Sequence, residues 1–261
     1  MTILDRIIQT KREEMRVARS VESFESVQEK AGAVTRPVLS FSRALTDSAS
    51  GIIAEFKRKS PSKGWFCAEA DPCDVVAGYA AAGAAAVSVL TDREYFGGCL
   101  DDLRMARKVA GNTPLLRKDF IVDPYQICEA RIAGADVILL IAAALTVEQC
   151  AYLAAFARSI GLEVLLELHD ESELVYINQH VDVVGINNRD LTSFVTDTVV
   201  SLRMAERIPQ GCVKISESGI SEPKTVLELR RAGYRGFLMG ENFMKTEAPA
   251  EALKSFIEAL R

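Results

Sequence analysis

The chain has no C-x-x-C cysteine pair and only two histidines, His169 and His180. Zinc sites and dithiol redox centres usually carry such spacing, so neither is expected. The six cysteines, Cys67, Cys73, Cys99, Cys128, Cys150 and Cys212, read instead as reduced thiols acting as small hydrophobes. No apolar stretch is long enough to cross a bilayer. Asp5, Arg6, Lys11, Arg12, Glu13 and Glu14 interrupt any signal-peptide core, so a cytoplasmic location is expected. An excess of positive charge is also missing: 31 Lys and Arg against 36 Asp and Glu leave a net −5, which argues against a nucleic-acid partner. No linker, repeat tract or low-complexity segment divides the 261 residues, so residues 1–261 read as one domain.

What is there is a series of apolar runs that each end in polar residues. Ile52-Ile53-Ala54 leads to Glu55 and Lys57, and Leu115-Leu116 to Lys118 and Asp119. Val164-Leu165-Leu166 leads to Glu167, Val183 to Ile186 to Asn187 and Arg189, and Val213-Lys214-Ile215 to Ser216, Glu217 and Ser218. Buried parallel strands read as near-continuous apolar segments. Helix starts are marked between them: Asp71-Pro72 and Asp123-Pro124 pair a capping carboxylate with proline, and Thr146 to Gln149 and Asp170 to Glu173 resemble capping boxes. Gly83, Gly134, Gly161 and Gly233 follow helical stretches as left-handed stops.

This alternation predicts strands near 51–57, 84–90, 114–119, 136–142, 163–168, 182–188, 212–217 and 236–240, each with a following helix, the last over about 248–260. The expected fold is a single (β/α)8 TIM barrel with residues 1–50 as an N-terminal helical extension over one barrel end. An open doubly wound sheet is the main alternative, but Gly51 to Ser60 lacks the Gly-rich turn that fold favours.

Side chains alternate between the faces of a strand. Glu55 and Lys57 therefore share a face, as do Leu116 and Lys118, Leu165 and Glu167, and Gly185, Asn187 and Arg189. If these faces point inward, six polar groups converge at the mouth, a setting suited to proton transfer. Each residue alone could equally be a solvated strand end. Ser218-Gly219 and Gly240-Glu241 follow the seventh and eighth strands, where such barrels bind phosphate, within reach of Lys57; simple tight turns are the competing reading. The segment Arg58 to Ala70 reads as a mobile loop in which Trp65 and Phe66 close on an aromatic ligand or simply pack on the rim. His169 is expected to point away from the mouth and His180 to end a helix. Arg36, Arg158 and Arg230-Arg231 read as solvated surface.

Three long segments resemble the indole-3-glycerol phosphate synthase family: Ile53 to Gly64, Ser88 to Gly98 and Leu116 to Gln126. Leu166 to His169, Gly185 to Leu191, Ser216 to Ile220, Phe237 to Glu241 and the N-terminal Ile3 to Ile7 extend the likeness over nearly the whole chain. The resemblance implies decarboxylating, dehydrating ring closure of 1-(2-carboxyphenylamino)-1-deoxyribulose 5-phosphate, without metal or organic cofactor. It implies Lys118 as general acid, Glu167 as general base or charge stabiliser, and Glu55 and Lys57 assisting dehydration. Asn187 and Arg189 would orient these groups. Lys57, Ser218, Gly219, Gly240 and Glu241 would hold the phosphate, and Phe96 and Phe120 would wall the aromatic ring. The partner expected is a small phosphorylated substrate, with no membrane, for a monomer or weak homo-oligomer. Some relatives are fused to phosphoribosylanthranilate isomerase, a fusion not expected here. Asn242 stands where the family often has serine, and Trp65-Phe66-Cys67 is bulkier than usual. Another sugar-phosphate barrel enzyme, such as an aldolase with a Schiff base on Lys118, and a non-catalytic phosphometabolite-binding protein remain the alternatives.

Overall fold

The computed structural model describes residues 2–190 and 195–260, so Leu191 of the Gly185–Leu191 motif lies outside the described residues. Eight parallel strands close a barrel: β1 (Ile52–Phe56), β2 (Ala86–Leu90), β3 (Leu115–Lys118), β4 (Val137–Ile141), β5 (Glu163–Leu168), β6 (Val183–Asn187), β7 (Val213–Glu217) and β8 (Gly236–Met239). Each strand pairs with the next, and β8 pairs with β1. This is the expected (β/α)8 fold rather than an open sheet.

The interior is filled by alternate residues of each strand, Ile53, Ala86, Leu116, Val137, Leu139, Leu165, Val183, Ile215 and Leu238 among them. The intervening residues pack outward on the helices α4 (Pro72–Ala81), α5 (Leu100–Val109), α6 (Pro124–Ala133), α7 (Val147–Ser159), α8 (Val199–Met204), α9 (Pro223–Arg231), α10 (Glu241–Met244) and α11 (Pro249–Glu258). Asp71, Asp123 and Thr146 cap their helices as expected. Gly83, Gly134, Gly161 and Gly233 all have left-handed φ, between 85° and 96°.

After β5 the expected helix is a short 3-10 segment, Glu171–Tyr176. Asp170 caps it, but Glu173 accepts the N–H of His169 instead of completing a box. His180 lies in the turn beyond, its N–H donated to Asn178, not at a helix end. No helix among the described residues is long and apolar enough to cross a membrane.

The N-terminal extension serves both barrel ends rather than one. Helix α1 (Ile3–Val21) places Ile3, Leu4 and Ile7 at the mouth. Helix α2 (Phe24–Gly32) packs Val27 and Ala31 with Tyr125 and Cys128 of α6. Helix α3 (Phe41–Asp47) buries Phe41 and Leu45 against interior residues at the strand starts, where Ser40 and Ser42 bind Glu163.

Of the arginines expected at the solvated surface, Arg158 and Arg231 are exposed, while Arg36 and Arg230 are tied down. Arg36 pairs with fully buried Asp136 at 2.7 Å and donates to the carbonyls of Gly134 and Ala135. Arg230 donates to the carbonyls of Ala49 and Ser50, and Arg158 pairs with Asp182 at 2.6 Å. Buried carbonyls and carboxylates need partners, and a long guanidinium reaches them across sequence gaps that no local pattern reveals.

Candidate active site

The residues that alternation aims inward meet at the C-terminal mouth. Glu55, Lys57, Lys118, Glu167, Asn187 and Arg189 line one cleft, together with Phe96, Phe120 and Ser218. The cleft continues into a more polar half lined by Ser218, Gly219, Gly240 and Glu241, which shares Lys57 and Arg189 with the first. Every sequence-selected site residue therefore borders this cleft. Asn242, Lys63 and Lys245 border its polar half as well, and the two lysines add positive charge that the sequence reading did not assign.

At the centre lies the Lys118 ammonium at the end of β3. It stands 3.0 Å from Glu167 Oε2 and 3.3 Å from Glu217 Oε2. Burial alone would lower the lysine's pKa, but the carboxylates of Glu167, Glu217 and Glu55 outweigh it and hold the ammonium above the usual lysine range.

The two carboxylates beside it titrate in opposite directions. Burial works to raise Glu167, yet Lys118, His169 and a hydrogen bond from Asn187 Nδ2 (2.9 Å) more than reverse it and hold the group well below its ordinary value. Glu217 is 1% exposed, and burial pushes its pKa up to about 7; Lys118 pulls it down, while Glu167 and Glu55 push further up. Adjacent carboxyl groups with opposed pKa shifts are the pattern expected of an anion paired with a proton carrier.

Glu217 was missed by the sequence reading. The signal was present: Val213, Ile215 and Glu217 alternate along β7, and Lys214 turns outward to the carbonyl of Ala205. His169 is a second correction. It was expected to point away, yet it lies two residues beyond Glu167, on the same face, with Nε2 3.3 Å from Glu167 Oε1 and Nδ1 3.6 Å from Glu173 Oε2. Burial lowers its pKa, but the two carboxylates raise it to about 10, so the imidazole is a cation between them.

Glu55 and Lys57 form a second ion pair at 2.7 Å, with Ser88 Oγ 3.4 Å from the other Glu55 oxygen. The carboxylates need space, and two glycines supply it. A Cβ on Gly185 would come within 2.5 Å of Glu217 Oε1, and one on Gly240 within 2.6 Å of Glu55 Oε1. Arg189 donates its N–H to Asn187 Oδ1 at 3.0 Å, which turns the Asn187 amide nitrogen toward Glu167.

The aromatic side of the cleft is built by Phe96 and Phe120, ring centroids 6.0 Å apart. Each is fixed through its backbone: Asp92 accepts the Phe96 N–H at 3.1 Å and Asp119 the Phe120 N–H at 2.9 Å. Both aspartates meet the buried Lys11 ammonium of α1, at 2.8 Å and 3.3 Å. Burial opposes ionisation of Asp119, but Lys11 and Arg117 hold it down at about 2.

Trp65 and Phe66 do not line the cleft. The loop folds back as a hairpin, Lys59–Ser60 with Gly64–Trp65, which lays the Trp65 ring against Gly97 and turns Phe66 to the outer core. Pro61 and Ser62 reach the cleft instead, and Lys63 forms an ion pair with Glu241 across the polar half. At the far wall, Ser218 and Gly219 both adopt left-handed φ, 69° and 73°. A non-glycine residue held there costs about 1 kcal/mol or more and tends to mark a functional site.

A family model described as indole-3-glycerol phosphate synthase matches residues 4–256. The indole-3-glycerol phosphate synthase of Bacteroides thetaiotaomicron is 52% identical over 259 residues, covering 99% of both chains. That of Salinibacter ruber is 43% identical over 254 residues, covering 97% of this chain and 94% of its own. Among solved structures, 3-hexulose-6-phosphate synthase superposes with a TM-score of 0.63 at 14% identity, over 81% of this chain and 100% of its own. A chain of the Pyrococcus furiosus tryptophan synthase complex superposes at 0.58 with 18% identity, over 81% and 97%. At such identities these two likenesses concern the fold alone.

Proposed function

Because the chain belongs to the indole-3-glycerol phosphate synthase family, we propose that its barrel mouth divides the family's ring closure among the residues described. The enzyme is a decarboxylating carbon–carbon lyase of tryptophan biosynthesis. It converts 1-(2-carboxyphenylamino)-1-deoxyribulose 5-phosphate to indole-3-glycerol phosphate with loss of CO2 and water.

Closure begins as the ring carbon bearing the carboxylate attacks the ketone. The new C–C bond drives the carbonyl electrons onto oxygen, which Lys118 protonates. The observation that carries this role is the Lys118 ammonium held charged between Glu167 and Glu217 at the cleft centre. A fixed cation aimed at a developing oxyanion lowers the barrier without reorganisation at the moment of reaction. A Schiff base would need the neutral amine, which the raised pKa withholds.

Attack leaves positive charge on the ring and its nitrogen. Glu167 is suited to stabilise that charge and poorly suited to take a proton, because Lys118, Asn187 and His169 already bind it as an anion. Loss of CO2 returns the bonding pair to the ring. Glu217, poised near neutrality, is suited to return a proton to Lys118. Water then leaves from the former ketone carbon with a proton from Lys57, and Glu55 accepts the proton lost from the adjacent carbon as the indole double bond forms. The 2.7 Å pair of these two side chains supports that coupling.

Phe96 and Phe120 wall the anthranilate ring. Ser218 through its hydroxyl and backbone N–H, Gly219 and Gly240 through their backbone, and Glu241 through its backbone N–H hold the phosphate with Lys57, while Asn187 and Arg189 keep the carboxylates and substrate in register. Gripping both ends of a flexible substrate brings the reacting carbons together. We read the whole chain as one domain, since α1 and α3 complete the mouth and the floor of the barrel. We place it in the cytoplasm, where its six free thiols would stay reduced.

The deciding experiment adds the synthetic substrate and follows indole fluorescence alongside CO2 release. Matched appearance of both is expected. Turnover with no indole product would overturn the assignment.

A further inference from the structure

Two adjacent asparagines, Asn187 at the end of β6 and Asn188 just beyond it, face opposite ways. Asn187 turns into the barrel. Asn188, 2% exposed, turns outward into the layer beneath α8. There its Nδ2 donates to Ser216 Oγ at 2.9 Å and to the Ser218 carbonyl at 3.0 Å. Its Oδ1 accepts from the N–H and the hydroxyl of Ser201, at 3.2 and 2.7 Å. Ser201 Oγ also lies 2.7 Å from Ser216 Oγ, and the Tyr234 hydroxyl donates to the Ser201 carbonyl at 2.7 Å.

This closed polar network holds one end of a strained turn. Ser218 is the sole non-glycine residue with positive φ among the described residues. Such a conformation persists where the surroundings over-determine it. In a trans peptide the C=O and N–H point in opposite directions. Anchoring the Ser218 carbonyl outward on Asn188 therefore turns the Gly219 N–H inward, to the polar half of the cleft that Gly219 and Gly240 line.

We propose that Asn188 is the positioning residue of the phosphate-binding turn, its side-chain amide orienting the Ser218–Gly219 peptide so that an N–H meets the substrate's phosphate. This rests on the phosphate assignment made above. Asn188 touches no substrate, and its effect is confined to one end of it.

The test compares inorganic phosphate and anthranilate as inhibitors of the full-length enzyme. Asn188→Ala removes the amide. Asn188→Asp keeps the volume and the acceptance from Ser201 but loses the donation to Ser218. Either variant is expected to raise KM and the phosphate inhibition constant by about fivefold or more, the scale of one lost hydrogen bond, with little change for anthranilate and a smaller effect on kcat. Ser201→Ala cuts the same buried network without touching the Asn188–Ser218 bond. It should lower the melting temperature while leaving phosphate inhibition in place. Equal weakening of both inhibitors, or a Ser201→Ala effect matching the Asn188 variants, overturns the proposal in favour of a merely structural amide. If Ser218→Ala weakens phosphate inhibition and the Asn188 variants do not, the Asn188 role alone falls. If Ser218→Ala leaves phosphate inhibition unchanged, the phosphate assignment falls with it.

Discussion

Glu217 Oε2 lies 3.3 Å from Lys118 Nζ, while its Oε1 is buried without a hydrogen-bond partner among the described residues. Burial disfavours the anion of a carboxyl with only one oxygen paired, and with Glu167 and Glu55 nearby its pKa rises to about 7. A carboxyl that titrates near neutrality thus sits beside the Lys118 ammonium.

Lys118→Ala should lower kcat by about a hundredfold or more, the usual scale for loss of a general acid. Steady-state indole fluorescence measures it, and borohydride should trap no substrate on the wild-type lysine. Undiminished turnover would refute the acid role.

Glu217→Gln should remove an ionisation near pH 7 from the kcat/KM profile. The stability effect has the opposite sign. A carboxyl whose folded pKa is raised above its unfolded value binds more protons when folded between about 4.5 and 7, so its ionisation costs stability as pH rises through that window. At pH 8 the amide variant should therefore melt higher than the wild type while turning over more slowly. Gly185→Ala, whose new methyl would crowd Glu217 Oε1, should also slow turnover. An unaltered pH profile in Glu217→Gln would remove Glu217 from proton transfer.

His169→Asn tests the cation beside Glu167. A histidine whose folded pKa is raised to about 10 contributes stability that is complete below about 6.5 and lost as pH rises through 10. The melting gap between wild type and variant should be widest near pH 6 and shrink steadily toward pH 10. A gap independent of pH would mean that the ring acts by packing alone.

Lys11→Met leaves Asp92 and Asp119 buried without their shared cation, a defect of about 3–5 kcal/mol. Thermal unfolding should show the loss, and KM should rise because those aspartates fix Phe96 and Phe120. Adding Asp92→Asn should recover part of the stability by removing one unpaired charge.

Ser218→Ala should mainly raise KM, since phosphate binding is common to ground and transition states. Substrate titration measures it, and an unchanged KM would argue against the phosphate turn.

The sequence by itself determined the strands, their order and the inward set. Period-two alternation with polar strand ends placed Glu55, Lys118, Glu167 and Asn187 on one side of the sheet, because backbone geometry leaves a strand only two faces. Proline after a capping carboxylate and glycine at helix stops were equally legible, since both act within a few residues. The same alternation contained Glu217 and His169, which a stricter count along β7 and β5 would have included. Tertiary structure alone decided the rest. Whether Arg36 meets Asp136, or Lys11 meets Asp92, depends on elements brought together from distant parts of the chain. The opposed pKa shifts of Glu167 and Glu217 depend on burial and on which oxygen faces which ammonium, and these are properties of three-dimensional distance that no spacing along a polypeptide encodes.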